Sequence, residues 1–142
     1  MSMFKTYGIV TRYTNYRDYD RILTLFSRDK GKIQAVARGC RRPKSNLLAA
    51  SQVFCYGEFL IYAKQGKYTI TQCEVLDSFY NLRTELDAFA YAAYILNLCE
   101  EAINPDEGNP FLFQLLLNSL SFLSYSDMNP LDISLIFTVK YL

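Results

Sequence analysis

Residues 31–39 read GKIQAVARG, and the fold of the first half of the chain turns on them. Ile33, Ala35 and Ala37 alternate with Lys32, Gln34, Val36 and Arg38, the period of a strand that keeps one aliphatic side inward. Glycine bounds the run on both sides, and Arg41-Arg42-Pro43 marks a turn after it. Upstream, GIVTRY places Ile9, Thr11 and Tyr13 on one face and Gly8, Val10 and Arg12 on the other, and RILTLF is a second β-rich run. Downstream, FLIYAK and YTITQCEVL are joined by Gln65-Gly66-Lys67, a short glycine hairpin turn. PKSNLLAASQ, with weak helical character, separates the third strand from the fourth. Five short strands with one helix between the third and fourth are the layout of an OB-fold, a Greek-key barrel. Small SH3-like barrels share this order.

After Tyr80 the texture changes. TELDAFAYAAYILNLCEEAI reads as a helix with Thr84 as N-cap, Asp87 three residues on, and a stripe of Leu86, Phe89, Ala93 and Leu96. Asn109-Pro110 and Asn129-Pro130 each put a capping Asn before a Pro at the first helical position. PFLFQLLLNSLSFL is apolar almost all round, so its helix needs cover on several sides, more than two companion helices give. The expectation is an α+β chain: an OB-fold nucleic-acid-binding domain over residues 1–80, and over 81–142 the start of a helical domain that is cut short.

Charge divides at the same place. The chain carries 15 Lys+Arg against 14 Asp+Glu. Residues 1–80 hold 13 cations and 6 acids, a net of +7, and residues 81–142 hold 2 and 8, a net of −6. Arg28 to Asn46, RDKGKIQAVARGCRRPKSN, packs seven cations and one acid into nineteen residues. A basic half of this kind favours a polyanionic partner. OB-folds bind oligonucleotides across strands two and three, flanked by the loops joining strands one to two and four to five. TRYTNYRDYDR reads as the first of these loops. It interleaves Tyr13, Tyr16 and Tyr19 with Arg12, Arg17 and Arg21, rings for stacking bases and cations for tracking phosphates. Arg41, Arg42 and Lys44 continue the path, while Asp18 and Asp20 lower the local charge, one of them placed to orient an arginine. A charge run is often only a solvated face, and rim tyrosines are often only packing. The nucleic-acid reading rests on their falling in the two places an OB-fold uses.

The run DRILTLFSRDKGKIQAVARGCRRPKSN, with QCEVLDSF and LRTELDAFAYAAYILNL after it, resembles the RecO family of bacterial recombination mediators. The resemblance implies an OB domain followed by a helical domain. It implies binding of single- and double-stranded DNA, strand annealing in DNA repair, and loading of RecA, with RecR and often RecF, onto strands coated by single-stranded DNA-binding protein. In some members the helical domain receives that protein's acidic, apolar-ended tail. DNA contact carries over, as a group, to Arg28, Lys30, Lys32, Arg38, Arg41, Arg42 and Lys44. Chains of this family run further and often hold a four-cysteine zinc module. Cys40, Cys55, Cys73 and Cys99 lack its paired spacing, so neither zinc nor another cofactor is expected.

With no histidine, Ser-His and Cys-His dyads are excluded, and no glycine-rich phosphate loop is present. The close carboxylates Asp18/Asp20, Glu100/Glu101 and Asp106/Glu107 read as solvated pairs, so no catalytic residue and no enzyme activity is expected. No apolar run reaches the roughly 18 residues a membrane span needs. MSMFKTYGIV has no secretory pattern, which makes a cytoplasmic, nucleoid-associated chain with reduced thiols the expectation. Two other functions use the same features: an OB protein for structured RNA, and an adaptor whose basic face meets an acidic protein.

Overall fold

In the computed structural model, which describes residues 2–141, the GKIQAVARG pattern forms a strand with Ile33, Ala35 and Ala37 buried and Gln34 and Arg38 exposed. This strand, β3 (Gly31–Ala37), belongs to a closed barrel with β1 (Ser2–Tyr16), β2 (Asp20–Ser27), β4 (Tyr56–Lys64) and β5 (Lys67–Asp77). The order around the barrel is β1-β2-β3-β5-β4, and β4 returns to pair with β1. All pairings are antiparallel except β3 with β5, which is parallel and joins Ala35 to Tyr68 and Val36 to Thr69. This is the five-stranded OB-fold topology. The connection between β3 and β4 contributes one 3-10 turn, Ala49–Ser51, and adds Leu47, Ala50 and Cys55 to the barrel's inner core of Val10, Leu23, Leu25, Phe59, Ile61 and Ile70.

The alternation expected in GIVTRY is broken by a bulge. Val10 pairs with Leu25 and Arg12 with Thr24, so Thr11 has no partner and the sides exchange after it. Arg12 therefore lies on the face of Ile9, and Tyr13 on the face of Val10. Ile9 and Val10 are both fully buried, because the outer face of the barrel is covered there.

The cover is helical: α1 (Tyr80–Thr84), α2 (Leu86–Ala102), α3 (Pro110–Tyr125) and α4 (Pro130–Tyr141). Ile9 and Phe26 project from β1 and β2 into a second core with Ala92, Ile95, Phe113, Leu116 and Phe137. Phe26 meets Phe113 edge-to-face with ring centroids 5.5 Å apart. The barrel is thus a further neighbour for α3, beside α1, α2 and α4, which the helical pattern alone did not reveal. Its N-cap is as expected: Asn109 Oδ1 accepts from the Leu112 N–H at 3.0 Å, and Asn129 Oδ1 accepts likewise from Leu131 at 2.8 Å.

The start and face of α2 differ from expectation. Thr84 ends α1, and its hydroxyl donates to the Asn81 carbonyl; Glu85 occupies the N-cap position without a side-chain bond. Leu86 is 83% exposed and Phe89 44%, whereas Ala88, Ala92, Ile95, Leu96 and Cys99 are buried. Of the expected stripe, Leu96 is buried and Ala93 half-buried, while Leu86 and Phe89 lie on the exposed side; Ala88 and Ala92 face inward, and their small side chains let the helix axis approach its neighbours closely.

Cys40, Cys55 and Cys99 are buried and Cys73 is half-buried, all as free thiols. Burial pushes the Cys55 thiol up to about 11 and those of Cys73 and Cys99 to about 12. A raised thiol pKa leaves the native state unaffected below the ordinary value and costs stability above it, as the unfolded chain ionises first. Alkylation by iodoacetamide at pH 8 is therefore expected to be slow for these three thiols until denaturant is added, as followed by mass spectrometry. Rapid native labelling of Cys55 or Cys99 would contradict this packing.

Candidate nucleic-acid interface

The basic window is contiguous in sequence but not in space. Arg28 and Lys30 sit in the β2–β3 turn, Lys32 lies on β3, and Arg38, Arg41, Arg42 and Lys44 follow β3 at its other end. Seven strand residues separate the two ends, about 20 Å at the usual rise.

At the near end two of the three cations lie on aromatic rings, and the third residue, Lys32, is tied through its backbone. The Arg28 guanidinium lies 4.8 Å from the Tyr7 ring centroid, and its Nε is 3.3 Å from Asp29 Oδ1. The Lys30 ammonium lies 4.7 Å from the Phe4 centroid. The Lys32 N–H donates to the Asn104 carbonyl at 3.1 Å, fastening β3 to the connection between α2 and α3.

At the far end the chain turns sharply. Gly39 takes a φ of +66°, a conformation that favours glycine, and its N–H donates to Asp20 Oδ1 at 2.7 Å. Asp20 thus anchors this backbone turn rather than an arginine. The Arg41 N–H donates to the Tyr19 carbonyl and the Arg42 N–H to Gly39. These bonds hold the turn after β3 against the β1–β2 hairpin, so Arg41 and Arg42 are presented on fixed backbone with exposed side chains.

TRYTNYRDYDR, expected as a loop, is mostly strand: β1 runs to Tyr16, β2 starts at Asp20, and only Arg17, Asp18 and Tyr19 turn. Strand pairing from Arg12–Thr24 to Tyr16–Asp20 continues the barrel wall into a tall hairpin. Its cations have separate fates. Arg12 Nε lies 3.4 Å from Glu100 Oε1, which also accepts from the Thr11 hydroxyl at 2.8 Å, so Arg12 ties β1 to α2. Arg21 stacks on Tyr13 at 3.8 Å and donates to Asn15 and Ser51, a structural role. Arg17 lies 5.0 Å from the Tyr16 centroid and Arg42 4.0 Å from that of Tyr19. The tyrosines therefore already carry guanidinium groups, which fixes the cations in place; a base would stack beside them or on the free face of the arginine.

Two concavities open here. One, of about 390 Å³, runs between the hairpin tip and the β4–β5 turn, over Val36. Its cations are Arg17, Arg38, Lys64 and Lys67, and its rings are Tyr16, Tyr62 and Tyr68. The other, of about 410 Å³, adjoins it and is lined by Arg17, Tyr19, Arg38 and Arg42 with Asp18 and Asp20. Among the described residues only Arg12 and Arg28 are ion-paired, which leaves the charges of Arg17, Arg38, Arg41, Arg42, Lys44, Lys64 and Lys67, like those of Lys30 and Lys32, without a carboxylate in direct contact. Asp20 lines the first concavity as well, but four cations face it there, and a concave surface of net positive charge concentrates its field and draws in phosphates.

Lys64, Lys67, Tyr62 and Tyr68 were not among the residues singled out from the sequence. The signal was present, since Gln65-Gly66-Lys67 marks the β4–β5 turn and that turn flanks OB-fold sites, but its flanking lysines are diluted among apolar strand residues. The expected β2–β3 face also shifts. Phe26 and Thr24 of β2 are buried on the outer side, so the open surface lies over β3 and the start of β5. Among the described residues, no three His, Cys, Asp or Glu side chains are placed to share a metal ion, and no helix is long and apolar enough to cross a membrane.

Comparison with known proteins places residues 1–79 in the family described as "Recombination protein O N terminal" and residues 83–142 in "Recombination protein O C terminal". The chain is 42% identical, over its full 142 residues, to the DNA repair protein RecO of Acetivibrio thermocellus, covering 57% of that protein. It is 38% identical over 138 residues to DNA repair protein RecO of Bacillus mycoides, covering 97% of this chain and 55% of the relative. The corresponding protein of Bacillus cereus strain AH187 is 37% identical over the same length. The chain spans little more than half the length of these relatives.

Proposed function

The chain belongs to the RecO family of DNA repair proteins, and on that premise we propose that its barrel binds nucleic-acid strands through the groove between the β1–β2 hairpin and the β4–β5 turn. The observation that supports this most directly is the convergence of unpaired cations from three separate segments, Arg17, Arg38 with Arg42, and Lys64 with Lys67, around the exposed Tyr16 and Tyr19. Contacts of this kind read phosphate and ring, not sequence, so single strands of any sequence bind, and duplex binds through its backbone. Neutralised phosphates repel a complementary strand less, which gives annealing without making or breaking a bond. Loading of RecA with RecR on strands coated by single-stranded DNA-binding protein is the wider role we assign to the whole protein, on the family's account.

Anisotropy of a labelled single-stranded oligonucleotide, titrated with the protein across a salt series, tests this. About five cations on single-stranded phosphates give a log–log slope of roughly −3 to −4. Absence of binding by a folded sample, or binding indifferent to salt, would defeat the proposal. A clear preference for folded RNA in direct competition would move the site to the structured-RNA reading.

A further inference from the structure

The near end of the basic window is occupied by the protein itself. The connection between α2 and α3, residues 103–109, lies along the start of β3: Pro105 bridges to Gly31 and Lys32, and Asn104 accepts the Lys32 N–H. The fit leaves no space for side chains. A Cβ on Gly31, whose φ is +69°, would overlap the Asn104 and Glu107 carbonyls, and one on Gly108 would overlap that of Asp29. This seat places Asp106 at the wall of a shallow groove of about 390 Å³ shared with Lys32, Gln34, Gly66 and Tyr68. Asp106 and Glu107 are exposed, and among the described residues neither is ion-paired; Glu107 Oε2 accepts from Asn104 Nδ2, and the field of Asp106 falls on the open surface beside Lys32. Within a Debye length of about 10 Å such carboxylates repel phosphates.

We propose that the basic motif is divided in function: a nucleic-acid strand passes from Arg41 and Arg42 over Arg38 to Lys64 and Lys67, while Arg28, Lys30 and Lys32 lie off its path, beside the acidic α2–α3 connection that the backbone of Gly31 and Lys32 seats. This rests on the nucleic-acid reading above and fixes its route. The helices covering β2 on one side and Asp106 and Glu107 beside the start of β3 leave the β4–β5 turn as the open exit.

Three charge-removing pairs, all of exposed residues except the half-buried Lys32, test the route by anisotropy with labelled oligothymidylate across salt, with circular dichroism to verify folding. K64Q/K67Q is expected to weaken binding about 25-fold at 0.1 M salt, about fivefold per lost contact, and to flatten the slope by about 1.4. K30Q/K32Q is expected to change affinity by less than about twofold, since it removes no contact. D106N/E107Q is expected to steepen the slope by about 0.7, as one near-end lysine becomes available. Equal losses from the two lysine pairs, no loss from K64Q/K67Q, or an unchanged slope in D106N/E107Q would each overturn the divided path while leaving nucleic-acid binding in place. A folded wild-type protein with no salt-dependent binding would instead remove the reading on which it rests.

Discussion

Gly31→Ala is expected to destabilise the chain by about 4 kcal/mol, combining roughly 1–2 for an alanine in the left-handed region with about 2–3 for overpacking. The overlap falls on the carbonyls of Asn104 and Glu107, which are backbone and have no rotamer to change. The Lys32–Asn104 bond and the Pro105 bridges hold that backbone in place. Gly66 is the internal control. Its φ is +76°, but a Cβ there meets nothing within 4 Å, so Gly66→Ala bears the conformational cost alone, about 1–2 kcal/mol. Urea denaturation of the two variants separates the terms. A total stability of about 5–15 kcal/mol makes the Gly31 loss a large fraction of the whole. Equal losses at the two glycines would show that the α2–α3 connection yields, and that it is not a fixed seat.

Reversing Arg41 and Arg42 to Glu is expected to weaken single-strand binding by about 100-fold at 0.1 M salt: two lost contacts account for about 25-fold, and repulsion by two new carboxylates supplies the rest. The slope is expected to fall by about 1.4. Neither side chain supports the core, both being exposed; the reversal loses the 3.4 Å bond from Arg41 to the Arg17 carbonyl and the Arg42 stacking on Tyr19 but retains the backbone bonds to Tyr19 and Gly39 that hold the turn. Folding should therefore survive, which circular dichroism checks. Arg41→Lys with Arg42→Lys separates charge from shape. Lysine keeps the counterion release but loses the planar fork, and at Arg42 the stacking on Tyr19, so the slope should persist with a smaller loss of affinity. Retention of both affinity and slope in the Glu pair would remove this turn from the interface.

Much of the fold was legible in the sequence because it depends on near neighbours. The period-two alternation of Ile33, Ala35 and Ala37, the Gln65-Gly66-Lys67 turn, and the Asn-Pro caps of α3 and α4 are decided within a few residues, and each stands in the structure as expected. The basic character of the barrel half is likewise a property of composition. What the sequence could not decide is where charges and faces go once distant segments meet. Thr11 and Glu100 are 89 positions apart, yet their bond, with the Arg12 ion pair, ties a cation expected at the nucleic-acid surface to α2. The bulge at Thr11 reverses the sides of β1, and α2 turns alanines inward instead of Leu86 and Phe89. Barrel closure brings Lys64 and Lys67 beside Arg38, while the seat of the α2–α3 connection separates Lys32 from it in function, as we propose. Periodicity tells which side of an element is apolar, but only packing determines what stands against that side, and a cation is available to a phosphate only where no carboxylate of the same chain has reached it first.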